Sequence, residues 1–141
     1  MSISRNFDCP NVGVGLGVIR EGHVLLHLRK GKHSPNTWAF PGGHLEKWEQ
    51  FGECARRELV EEAGPEIEIG RMHYWDVMNT MFIEEGKHYV VIFLWADWIS
   101  GDAQVMEPTK NAGWKWWPWD SLPENSMQGL GLLKKYHPHL P

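Results

Sequence analysis

Between Gly43 and Gly64 the chain reads GHLEKWEQFGECARRELVEEAG, which puts Glu49, Arg57, Glu58, Glu61 and Glu62 into one stretch directly after Pro41-Gly42-Gly43. A helix over residues 49–63 sets Glu58 and Glu62 one turn apart on one face, with Glu61 beside them. Like charges at i,i+4 cost an isolated helix about 0.2–0.5 kcal/mol per pair, so a sequence that keeps them either exposes them to water or supplies a cation. Mg²⁺ suits such a site: it prefers oxygen ligands, takes one or two carboxylates from the protein, and completes its octahedron with water and substrate phosphates. The plainer alternative is a solvent-facing acidic helix, in which Glu53, Arg57 and Glu61 form an i,i+4 ladder of alternating sign.

The wider pattern favours the metal. Gly43, Glu49, Arg57, Glu58, Leu59, Glu61, Glu62 and Gly64 fit G-x5-E-x7-R-E-U-x-E-E-x-G-U, where U is bulky and apolar, and only the last position departs, with Pro65. The stretch resembles the Nudix box, and so many fixed positions are far more specific than a lone glycine motif. The resemblance implies a hydrolase that cleaves the pyrophosphate linkage of a nucleoside diphosphate joined to another group. It implies that Glu58, Glu61 and Glu62 bind Mg²⁺, with Mn²⁺ as a substitute, helped by a backbone carbonyl at Gly42 or Gly43. Arg57 is expected to orient the acidic residues through ion pairs, with Glu49 as a partner. The implied fold is of the α/β (α+β) class, an α/β/α sandwich around a central mixed sheet, with residues 1–141 as one domain. Besides Pro65, Trp48 departs from relatives that carry Gly before the box Glu; it is expected to pack at the start of the helix, the alternative being a cover over the metal site. Pro just after a helix-ending glycine is a compatible stop.

Composition narrows the partners. A chain of 141 residues is long enough for one proper core. A net charge of −4 argues against holding a nucleic-acid polymer by phosphate neutralisation, while mononucleotides remain open because a metal ion screens their phosphates. The first residues, MSISRNFDCP, have no apolar core segment, and no run approaches the about 18 apolar residues needed to span a bilayer. A soluble cytoplasmic protein is the expectation, and the resemblance adds a homodimer. Cys9 and Cys54 show neither disulfide-scaffold nor zinc spacing.

Along the chain, Val12, Val14, Leu16 and Val18 alternate with Gly13, Gly15 and Gly17, which is strand periodicity with one face stripped of side chains. Either a base or sugar, or a large packed aromatic, lies over that face. Arg20-Glu21-Gly22 predicts a hairpin turn into a strand over residues 23–29. A loop follows, then a short strand at Trp38-Ala39-Phe40 delivering the Pro41-Gly42-Gly43 turn, whose glycines allow close approach to an ion or phosphate. Residues 66–79 and 87–98 predict a second hairpin, 99–113 a long loop beside the site, 114–119 a short strand broken by Pro118, and 127–136 a last helix.

Beyond the box, PGGHLE, HYVVIF, EPTKN and GWKWWPWDSLP are similar to the small Nudix enzymes that convert nucleoside triphosphates to a monophosphate and pyrophosphate, in the oxidised-purine or pyrimidine dNTP branch. By position this implies Trp38, Phe40, His44, Gly129 and Leu130 around the base and Arg29 near the phosphates. Relatives often carry a Glu where this chain has Ala112, and Glu107 is the nearest substitute. ADP-ribose, a nucleotide sugar or a dinucleotide are the alternative substrates, and a non-catalytic nucleotide-binding module the remaining one. Glu58 is the first choice of general base, with Glu61 and Glu62 as the main ligands. The nine Trp residues read chiefly as core or interface, and His23, His27, His73, His88, His137 and His139, lacking ligand spacing, as surface or satisfied core residues.

Overall fold

The computed structural model describes residues 6–141. In chain order its elements are β1 (Asn11–Arg20), β2 (His23–Arg29), β3 (Trp38–Ala39), β4 (Gly42–His44), α1 (Phe51–Ala63), β5 (Glu68–Ile69), β6 (His73–Phe82), β7 (Lys87–Ser100), β8 (Asn111–Pro118) and α2 (Gln128–Tyr136). Among the described residues no helix is long and apolar enough to cross a membrane.

Side-chain alternation builds the centre of the sheet. β1 runs parallel to β7 in unbroken register from Asn11 opposite Tyr89 to Ile19 opposite Asp97. Val14, Leu16 and Val18 therefore share a face with Ile92, Leu94 and Ala96, and α1 covers that face with Cys54, Ala55, Leu59 and Ala63. Three of those four helix residues are small, so the helix lies close to the strands, and Leu59 fills the one larger space. On the opposite face Phe93 joins Phe40, Trp75 and Trp119, and α2 covers them with Leu130 and Leu133. One helix on each face of a mixed sheet is the expected sandwich.

At Gly15 and Gly17 the stripped face of β1 lies against aromatic rings, while Gly13 and Gly15 also border a cavity. A methyl group at Gly15 would stand 2.9 Å from the Phe93 ring, and one at Gly17 2.7 Å from Trp75. Aromatic packing therefore accounts for these two glycines.

Glu21 and Gly22, at φ +47 and +76, make the β1–β2 turn, as a tight hairpin of right-handed twist requires. The two strands pair only next to the turn, at Ile19/Val24 and Arg20/His23. They then diverge, β1 to β4 and β7, β2 to β3 and β8. This divergence opens the sheet where the cavity lies. The second hairpin forms between β6 and β7, closed by a 3₁₀ turn at Ile83–Glu85 and Gly86.

Several expectations need correction. Gly42 and Gly43 form a strand paired with β1, not a turn. Glycine is needed at Gly42 because a side chain there would meet the fixed Val14 carbonyl, whereas one on Gly43 would meet the end of the Glu58 side chain. Trp48 does not pack: it is 89% exposed, with φ +70. The left-handed backbone explains glycine at that position in relatives, since any Cβ is strained there. The long loop is shorter than expected, because β7 continues to Ser100 and β8 begins at Asn111. α1 begins at Phe51, behind Gln50, whose N–H donates to Glu53 Oε1 at 3.1 Å, so Glu53 serves the helix start and leaves the ladder with Arg57.

Candidate active site

Arg57 is the hub of the acidic helix. Its Nε and Nη2 donate to the two oxygens of Glu49 at 2.7 and 3.0 Å, Nη1 to Glu58 Oε1 at 2.8 Å, and Nη2 to the His44 carbonyl at 3.1 Å. One guanidinium thus ties α1 to the segment before it and to β4, in the bidentate geometry that makes such pairs strong. Glu61 stands farther off, 3.5 Å from Nη1 and half exposed. Arg57 holds the Glu49 carboxyl down at about 2, while its own pKa is raised, first by the Glu49 hydrogen bonds.

Glu58 and Glu62 point inward. Glu62 Oε1 accepts the Gly42 N–H at 2.9 Å, and Oε2 lies 3.7 Å from His27 Nε2. Burial pushes Glu58 upward against the pull of Arg57. Burial raises Glu62 well above the usual carboxylate range; the Gly42 N–H opposes this, while Glu58 and Glu107 add to it. Carboxylates this poorly solvated and mutually repelling are stabilised by a cation.

Among the described residues no three His, Cys, Asp or Glu side chains converge to enclose an ion alone. The donor set fits Mg²⁺ nonetheless, because that ion needs only one or two carboxylates beside water and phosphate oxygens. The Glu58 carboxylate occupies the space a Gly43 side chain would fill, which brings it against the β4 backbone.

These groups border a cavity of about 840 Å³, within the range of small-molecule sites. Its acidic end holds Glu58, Glu61, Glu62 and Arg57, with Gly42, Gly43 and Glu107. Phe40, Phe93, Gly129 and Leu130 form an apolar end, and His44, Tyr89 and Arg29 complete the wall. His44 Nε2 and the Tyr89 hydroxyl are 2.9 Å apart. Arg29 is half-buried, its desolvation lowers its pKa, and its Nε donates to the His33 carbonyl at 3.3 Å.

Trp38, expected near the base, is absent from this wall. It packs edge-on against Trp117, with ring centroids 5.1 Å apart, and adds to the core beneath α2. Among the wall residues outside the expected set are two polar ones from paired strands, His27 and Asn111. His27 is 3% exposed and held near pKa 4, chiefly by burial; its place two residues before Arg29 on a strand was the one available signal. Asn111 closes the string EPTKN, which carries part of the resemblance, but nothing in that string marks its amide for the cavity.

The family model described as NUDIX domain matches residues 10–136. The m7GpppN-mRNA hydrolase NUDT17 of Xenopus laevis is 32% identical over 104 residues, covering 66% of this chain and 35% of that protein. The chain thus spans about a third of that relative's length. The oxidized purine nucleoside triphosphate hydrolase of Danio rerio is 27% identical over 116 residues, covering 82% of this chain and 71% of that one. The MutT NUDIX hydrolase from Burkholderia pseudomallei superposes with a TM-score of 0.83 at 28% identity, over 90% of this chain and 97% of the other. With the match running from the start of the sheet to the last helix, and the acidic helix and its arginine hub inside it, the chain belongs to the NUDIX family.

Proposed function

We propose that this protein hydrolyses a nucleoside triphosphate, a dNTP of the oxidised-purine or pyrimidine type, to the monophosphate and pyrophosphate in the presence of Mg²⁺. The observation that carries this reading is the polarity of one cavity, with carboxylates at one end and Phe40, Phe93 and Leu130 at the other. A nucleotide is polar in the same sense, with phosphates at one end and a flat base at the other. Glu58, Glu61, Glu62 and the backbone carbonyls of Gly42 and Gly43 are the groups that would hold the ion. Bound there, Mg²⁺ would neutralise phosphate oxygens and stabilise the charge on the departing pyrophosphate.

The chain's own groups do the rest. Arg57 engages Glu58 Oε1, leaving Oε2 to accept the proton of the attacking water, and the upward push of burial brings this carboxylate closer to the basicity a general base needs. Arg29 binds the phosphate chain, while Phe40 and Leu130 take the base and exclude water. The likeness to the Danio rerio hydrolase supports the triphosphate. The Xenopus relative's name favours a second reading, a substrate in which two nucleotides are joined through phosphates.

The test is Mg²⁺-dependent hydrolysis of dNTPs, oxidised dGTP, ADP-ribose and dinucleotides, with the released phosphates identified and Glu62→Gln as control. Pyrophosphate from one triphosphate, lost in the variant, is expected. Two monophosphates from a joined substrate would overturn the substrate assignment, and no turnover of any compound would overturn catalysis itself.

A further inference from the structure

Asn111 opens β8 in register with Arg29 of β2, is 5% exposed, and borders the cavity. Its Oδ1 accepts the Gly113 N–H at 2.7 Å, which fixes which way round the amide lies. The Nδ2 donor is buried and has no hydrogen-bond partner. A buried donor without an acceptor is costly, and native proteins keep few of them. The neighbouring guanidinium is differently placed: Arg29 is half-buried, its Nε reaches the His33 carbonyl, and no ion pair within 4 Å engages it among the described residues.

The geometry points to Asn111 as a phosphate-binding residue: paired with Arg29 across β2 and β8, its Nδ2 donates to an oxygen of the substrate's phosphate chain. This inference rests on the nucleotide reading above and adds a residue to it. Phosphate is the acceptor favoured because a carbonyl of a base would satisfy the amide but leave the half-buried guanidinium with only the carboxylates of Glu62 and Glu85, neither within 4 Å, as counter-charge, whereas one phosphate group accepts from both. Position agrees. His27, on the same strand and two residues before Arg29, lies 3.7 Å from Glu62, so the pair adjoins the acidic end where the linkage is cleaved. A neutral amide also suits a wall shared with Glu107, since it adds a donor without a further full charge.

The same wall is kept in shape by contacts that do not use the amide nitrogen. The Asn111 and Lys110 N–H groups both donate to the Glu107 carbonyl, at 3.0 and 2.9 Å, and Lys30 Nζ donates to the Pro108 carbonyl at 3.0 Å. These backbone bonds remain in Asn111→Leu, which loses the Oδ1 acceptor of the Gly113 N–H together with Nδ2, so the melting temperature of the variant is measured beside its affinities.

The experiment measures affinity for inorganic pyrophosphate, for a non-hydrolysable triphosphate and for the bare nucleoside, by tryptophan fluorescence, in the intact chain and in Asn111→Leu. A roughly tenfold or greater loss for both phosphate ligands, with nucleoside affinity unchanged, is expected. An equal loss for all three ligands, or none, overturns the assignment. Should the leucine variant fail to fold, the side-chain NH₂ signal of Asn111 in the ¹⁵N-labelled wild type decides: it is expected to move on adding pyrophosphate but not nucleoside, and a stationary signal overturns the proposal. Arg29→Gln separates the two levels. Pyrophosphate binding that depends on Arg29 but not on Asn111 removes this inference and leaves the nucleotide reading standing, while failure of every phosphate ligand to bind removes both.

Discussion

Arg57 shows how one side chain serves both stability and chemistry. It offers five donors, and Glu49, Glu58 and the His44 carbonyl take most of them, so the position of Glu58 depends on Glu49 although the two carboxylates do not touch. Glu49→Gln keeps the shape and removes the charge. With a charge-assisted, partly buried pair lost, the variant is expected to be about 1–2 kcal/mol less stable at pH 7. The pH dependence has a definite sign. Glu49 titrates near 2 in the folded protein against an ordinary 4.5, so its contribution is complete above about 4.5 and fades as the pH falls toward 2. Urea unfolding at a series of pH values should show the wild-type and Glu49→Gln curves converging in that window; a constant gap between them would contradict the pairing. Trp48 is a contrasting case, where the left-handed backbone is held without any packing return and the ring's neighbour is Lys47, 5.1 Å from its centroid.

At the scale of elements, the glycines of β1 and β4 look alike in sequence and do different work. Gly17 lies beneath the fixed ring of Trp75, and Gly43 lies against the movable end of Glu58. Gly17→Ala is therefore expected to cost about 1–3 kcal/mol of stability through overpacking. Gly43→Ala can be absorbed by displacing the Glu58 carboxylate, and should leave stability within about 1 kcal/mol while lowering turnover by about 100-fold, the usual consequence of moving a reacting group by an ångström. Thermal melts and steady-state rates on the two variants separate these outcomes, and a fully active Gly43→Ala would remove Glu58 from the chemistry. The same elements show what was legible in advance. Helical period alone placed Glu58, Glu61 and Glu62 together, and strand alternation alone showed that one face of β1 was bare. Neither could say what covers that face, because Phe93 reaches Gly15 only through the β1–β7 register. Trp38 was misplaced for a related reason: its own position on a short strand was readable, but its partner Trp117 comes from β8, and that pairing is not local.

Across the whole molecule, the cavity exists because β1 and β2 part after two residue pairs, leaving α1 and its carboxylates at one end and α2 with Leu130 at the other. The apolar end was partly legible, through Phe40, Gly129 and Leu130, because the resemblance carries those positions. His27 and Asn111 were not legible, since a lone polar residue on a strand acquires meaning only when the sheet around it closes. This arrangement makes stability and ligation one problem: the fold gathers Glu58 and Glu62 into a poorly solvated space beside the more exposed Glu107, where burial raises the first two and Glu107 adds to the repulsion on both. A cation bound by the native state relieves that repulsion and has no comparable site in the unfolded chain. Mg²⁺ alone should therefore raise the melting temperature, and EDTA should reverse the shift. A non-hydrolysable triphosphate at about 100 times its Kd should add about 2.7 kcal/mol, or about 8 °C for a chain of this size. Glu62→Gln should respond in the opposite order, beginning more stable than the wild type in the absence of metal because a buried charge has been removed, and gaining less when Mg²⁺ is added. If metal stabilises the variant as strongly as the wild type, Glu62 is not among the ion's ligands and the acidic end of the cavity must be explained by Glu58 and Glu61 alone.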